Sequence, residues 1–183
     1  WAAERDLPRS VPYWVSELDH ELPRTGRALD VAAGAGRLAV AGHGHYSAVK
    51  HALEAMSEVL AQEVVRFGIR VAIVEPGVVI TPIFSKAKRW NDPASPYHDH
   101  VHRLLLFYQK QMPTAAQPDE AARVIWEAAT TSVPRLRWTV GEDARLMVAG
   151  RARTSDEDYV AGGRAMPDAE YLDEMRKRYG FTW

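Results

Sequence analysis

Tyr46 and Lys50 stand four residues apart. On a helix that spacing puts two side chains on one face. A cation beside a phenol favours the phenolate, which makes the tyrosine a proton donor and acceptor usable near neutral pH. The pair therefore points to acid/base chemistry. Residues 69–74, Ile-Arg-Val-Ala-Ile-Val, lead into Glu75-Pro76-Gly77-Val78-Val79-Ile80-Thr81.

The elements that must position these residues are readable. Val49, Leu53, Met56, Leu60 and Val64 fall at three- and four-residue steps, so the spacing predicts a helix from Ser47 to Phe67 with this stripe buried. Gly68 suits a helix C-terminus. The β-branched run from Ile69 reads as a buried parallel strand, so helix, glycine and strand form half of a crossover unit. Arg27–Ala32 and Arg137–Val140 are further strand candidates. Helices are expected over 98–112, from Pro118 to about Thr131, near 142–149 and over 168–178. Residues 1–26 are polar and loosely helical. Strands alternating with helices predict an α/β fold, here an incomplete Rossmann-like parallel sheet with flanking helices in one partial domain spanning residues 1–183.

Tyr46-Ser-Ala-Val-Lys50, Ala52–Glu58, Phe67-Gly68-Ile69-Arg70-Val71 and Pro76-Gly77 with Thr81 occur in this order and spacing. Together they make residues 34–183 resemble the C-terminal part of a short-chain dehydrogenase/reductase. The resemblance implies hydride transfer between NAD or NADP and a small-molecule carbonyl or secondary alcohol. It makes Tyr46 the proton carrier and gives Lys50 two tasks, lowering the tyrosine pKa and bonding the nicotinamide ribose. It places Pro76, Gly77 and Val79 beside the nicotinamide and Thr81 at the carboxamide or pyrophosphate. Gly77 agrees on physical grounds, because backbone without a side chain can lie close to a flat ring. The family's tyrosine helix also packs between subunits, which implies a homodimer through residues 47–66.

Two features depart from that family. Its catalytic serine stands thirteen residues before the tyrosine, where this chain has Ala33. Losing one such donor typically costs about 2.7–4 kcal/mol of barrier. A dinucleotide needs a glycine-rich first turn, and each βαβ unit takes roughly 30 residues or more. The 45 residues before Tyr46 are too few for two units. The expectation is a chain with little or no oxidoreductase activity on its own, and the choice between NAD and NADP belongs to the half not seen.

Leu29-Asp30-Val31-Ala32-Ala33-Gly34-Ala35-Gly36-Arg37 resembles the first motif of class I S-adenosylmethionine-dependent methyltransferases. This likeness covers about residues 12–37. It makes 1–33 a possible foreign segment and the whole a possible chimera. A methyltransferase fragment and a non-catalytic α/β remnant are the alternative readings.

Composition sets the outer bounds. The net charge is −1, with 46% hydrophobic and 26% charged residues, so nothing suggests a nucleic-acid or anionic-membrane partner. There is no apolar run long enough to span a bilayer, and no signal peptide is visible. The absence of cysteine excludes disulfides and fits a reducing, cytoplasmic setting. A first residue of Trp points to a fragment, a processed product or an incomplete gene. His98 and His102 could share a helix face, but no third ligand stands at metal-like spacing, so no metal site is expected. His43 and His45 are placed either at a substrate mouth or in an exposed loop. Leu104–Tyr108 is read as a packed helix or a lid, and its apolar character hints at a hydrophobic alcohol or ketone.

Overall fold

The computed structural model describes residues 27–31, 37–86 and 92–183. Ala33 and most of the methyltransferase-like motif lie outside these residues. Three strands, β1 (Arg27–Val31), β2 (Arg70–Pro76) and β3 (Arg137–Val140), form one parallel sheet in the order β1-β2-β3. Arg27 registers with Arg70 and Val31 with Val74; Ile73 registers with Arg137 and Pro76 with Val140. Parallel strands need crossovers. The helix α1 (Gly44–Val64) supplies the first. The second runs through α2 (His98–Gln111) and α3 (Pro118–Thr130). Three more helices follow β3: α4 (Glu142–Arg153), α5 (Asp156–Ala161) and α6 (Asp168–Tyr179). Six-residue α5 was not anticipated. It is too short to show apolar periodicity, and its start is set by a local cap, with Ser155 Oγ accepting the Asp158 N–H.

β2 is central and buried from Val71 to Glu75, as its β-branched run predicts. Its even-numbered residues Ala72 and Val74 pack with Trp138 and Val140 of β3 against Ala128, Val124 and Ile125 of α3. At the α1–β2 turn, Gly68 adopts φ 73° and its N–H donates to the Val65 carbonyl at 3.0 Å. That left-handed conformation is open to glycine at little cost.

The opposite face of the sheet holds charge. Glu75 is wholly buried, and its Oε1 lies 3.3 Å from Arg137 Nε and 3.9 Å from Arg37 Nε. Arg137 also pairs with Glu54 Oε2 at 3.1 Å and with Glu58. Because Glu54 must reach this guanidinium, α1 buries the predicted stripe only in part. It turns Ser47, Glu54, Ser57 and Val64 inward, while Leu53 and Leu60 are half-buried. Val49 and Met56 face outward at 67% and 51% exposure, which corrects the expectation for those two residues.

Among the described residues Glu75 Oε1 and Oε2 and Glu54 Oε1 have no hydrogen-bond partner as carboxylates, but a proton on either acid lets the two bond to each other. Burial, and then the Glu54 charge, push Glu75 above its ordinary 4.5. The fold therefore holds this proton more tightly than the unfolded chain does. Stability should fall as pH rises from about 4.5 through the folded-state value. Urea unfolding across that range should show the fall, and Glu75→Gln should flatten it.

Candidate active site

A cavity of about 360 Å³ opens at the carboxyl end of β2. That is where ligands enter open α/β sheets, and the volume suits a small organic molecule. Pro76, Gly77 and Val78 form its floor, α2 and α6 supply walls, and Tyr46 and His43 stand at the start of α1. The aromatic side chains of Phe107, Tyr108, Tyr171 and Tyr179 dominate the walls.

The two arginines on the cavity are occupied. Arg103 is buried and donates to the carbonyls of Arg164 at 2.7 Å and Met166 at 2.8 Å, with its guanidinium over the Tyr171 ring. Arg178 donates to the Asp158 carbonyl at 3.0 Å. Tyr159 donates its hydroxyl to the Ala39 carbonyl. These cations and this phenol are thus committed to the backbone, so the walls favour an apolar ligand over an anionic one.

Asp143 is the buried acid of the site, and it was not singled out by the sequence. It lies in the first turn of α4, 7% exposed, and its Oδ2 accepts the Val78 N–H at 2.7 Å. A Cβ at Gly77 would lie 2.3 Å from Asp143 Oδ1, and one at Gly141 2.6 Å away. Both glycines are therefore required by the carboxylate. Burial raises the Asp143 pKa against the opposing pull of backbone N–H bonds, including those of Val78 and Ala144. The acid pins the turn that ends β2. Gly77→Ala should destabilise the fold by about 1–3 kcal/mol through overpacking. Thermal unfolding should show the penalty shrinking in an Asp143→Gly background, as expected for directly coupled positions.

Of the residues singled out in the sequence, Tyr46, Pro76 and Gly77 line the cavity. Lys50, Val79 and Thr81 do not. Val79 bridges to Ala116 and packs on the core. The Thr81 carbonyl accepts the Phe84 N–H at the turn Ile83–Lys86. Lys50 Nζ lies 5.8 Å from the Tyr46 ring centroid, over the ring. Burial raises the Tyr46 pKa above 10.0, opposite to the lowering expected from the lysine. Desolvation of the phenolate outweighs the cation here, so Tyr46 keeps its proton at neutral pH. His43 lines the cavity with its ring centroid 5.4 Å from that of Tyr46, and burial lowers its pKa, which favours the neutral imidazole. His45 is exposed. His98 and His102 do share a face of α2, and His102 Nε2 lies 3.0 Å from Asp168. Phe107 is buried core, and Leu104 and Tyr108 face the cavity.

A tyrosine-bearing helix beside a parallel sheet, with a cavity at the strand end, defines an incomplete Rossmann-like α/β fold. Residues 15–92 match the family profile described as short chain dehydrogenase. The chain is 35% identical over 136 residues to human retinol dehydrogenase 5, covering 67% of this chain and 42% of that protein. Among solved structures, a short-chain dehydrogenase from Streptomyces avermitilis superposes with TM-score 0.62 at 32% identity, over 89% of this chain and 53% of that one. One from Burkholderia cenocepacia J2315, in complex with NADP, shares the fold at TM-score 0.55 and 18% identity, over 84% and 52% of the two chains. The chain is similar to short-chain dehydrogenases/reductases and spans about half the length of these relatives. No helix among the described residues is long and apolar enough to cross a membrane.

Proposed function

We propose that the protein takes part in hydride transfer between NAD or NADP and a hydrophobic ketone or secondary alcohol. The observation that carries this reading is Tyr46, a protonated phenol, at the same apolar cavity as the Pro76-Gly77 strand end. A nicotinamide coenzyme supplies or takes the hydride when bound. Pro76 and Gly77 lie on the cavity floor where its ring would rest, while the space beside the Gly77 Cα is taken by the Asp143 carboxylate. In the reductive direction Tyr46 gives its hydroxyl proton to the substrate oxygen. His43, favoured in its neutral form, stands beside it without competing charge. The committed arginines leave the walls suited to an uncharged substrate. Turnover is proposed to be slow, because Ala33 has no hydroxyl to offer the developing oxyanion.

Six tryptophans make binding measurable by fluorescence. Saturable quenching by NADH or NADPH, with slow ketone-dependent oxidation of the bound form, would support this reading and overturn the expectation that the chain has little or no activity on its own. Absence of both, with saturable S-adenosylmethionine binding instead, would favour the methyltransferase reading.

We further propose a homodimer through α1. Val49, Met56 and Val59 are exposed on that helix, and an exposed apolar face on a helix fits a partner surface. Light scattering should show a dimer at micromolar concentration, and Val49→Glu with Met56→Glu should give a monomer.

A further inference from the structure

We infer that Tyr108 is a second hydrogen-bond donor to the substrate oxygen, acting across the cavity from Tyr46. The inference rests on the hydride-transfer reading above and adds a residue to it. Tyr108 comes from α2 and Tyr46 from α1, and both line the cavity. The His43 ring neighbours both, with centroids 5.4 Å from Tyr46 and 6.0 Å from Tyr108. The Tyr108 ring is held in place edge-on by Phe84 and Phe107, both at 5.7 Å, so its hydroxyl has a fixed approach.

The electrostatics agree. Burial, and then the Tyr46 charge, push the Tyr108 phenol up to about 12. A phenol with that pKa keeps its proton across the physiological range, and so acts as a hydrogen-bond donor and not as the proton source. Tyr159 on the same cavity is different, since its hydroxyl is spent on Ala39.

In reduction, the hydride of the reduced nicotinamide forms the new C–H bond while the C=O π pair moves to oxygen. That oxygen takes its proton from Tyr46, leaving a phenolate and the oxidised nicotinamide. Tyr108 keeps its own proton and holds the oxygen while the charge develops. Fixed donors aimed at a developing oxyanion lower the barrier.

Tyr108→Phe retains the aromatic wall and removes only the hydroxyl. It should lower kcat by about 10²-fold with little change in the cofactor KM. A second measurement needs no turnover. Acetophenone labelled with carbon-13 at its carbonyl is bound to the protein, and the carbonyl resonance is read. Hydrogen bonding moves it downfield, and Tyr108→Phe and Tyr46→Phe should each remove part of that shift. Unchanged kcat with an unchanged carbonyl shift in Tyr108→Phe would overturn the assignment. So would a change confined to substrate KM with the shift intact, because Tyr108 would then be only a wall. A wild-type carbonyl that shows no downfield shift would also overturn it, whatever the turnover. If the wild type gives no turnover but Tyr108→Phe still reduces the shift, the donor role stands and the hydride-transfer reading fails.

Discussion

Tyr46→Phe is expected to lower kcat/KM by about 10²–10⁴-fold, the usual contribution of a positioned acid or base. The loss should fall on kcat, because the ring, which keeps its place beside His43 at 5.4 Å, still shapes the cavity. Single-turnover oxidation of the bound reduced cofactor would read the chemical step directly. Cofactor binding by fluorescence should be nearly unchanged, since the floor at Pro76-Gly77 is untouched. The pH profile supplies a second check. The Tyr46 pKa lies above 10.0, so a proton-donating step should persist to alkaline pH in the wild type, where a phenol lowered by Lys50 would have lost its proton. A profile falling near neutrality would contradict the geometry found here.

The second large effect concerns stability. Arg137→Ala should destabilise the fold by about 3 kcal/mol, at the lower end for removing one member of a buried charged set. The guanidinium serves Glu54, Glu58 and Glu75, and Glu75 has no access to solvent. Its side chain is itself 25% exposed, and water reaching it keeps the value from the upper end. Without it, two buried carboxylates face each other with the more distant Arg37, 3.9 Å from Glu75, as the remaining cation among the described residues. A urea titration at neutral pH should show a lower midpoint with an unchanged slope. The deficit should shrink towards acid pH as Glu75, whose pKa is raised by burial, takes up its proton. A constant deficit across pH would mean that Arg137 acts by packing alone.

Particular residues show how far the sequence could be read. β2 was legible because a run of β-branched residues has few other uses than a buried strand. The helical run was legible from its spacing and its end from Gly68, although α1 begins at Gly44, three residues before the expected Ser47, and residues Val65–Phe67 form a 3-10 turn. Its orientation was not, because Glu54 reads as a surface residue until its partner Arg137, 83 residues away, is known. Tyr46, Pro76 and Gly77 were found because short local motifs carry them. Asp143 was missed for the opposite reason. Its partner Val78 is 65 residues away, and its only local sign, Gly141 followed by two acids, is also how an ordinary helix begins. The cavity walls from α2 were visible as an apolar run, but the choice of Tyr108 over its neighbours depends on the helix phase against His43.

Asp143 also has a consequence for descent. Gly77 and Gly141 are far apart in the chain, yet each leaves the same carboxylate its room, with 2.3 Å and 2.6 Å to a would-be Cβ. Substitution at any one of the three sites alters what the other two can tolerate. A lineage that replaced Asp143 by a smaller residue would free Gly77 to vary and would relieve one of the two constraints on Gly141, whose φ of 86° still favours glycine. A lineage that kept the acid would have to keep both gaps. The three positions should therefore be inherited as a unit, and a covariation signal linking them across relatives would be the mark left by a single buried side chain.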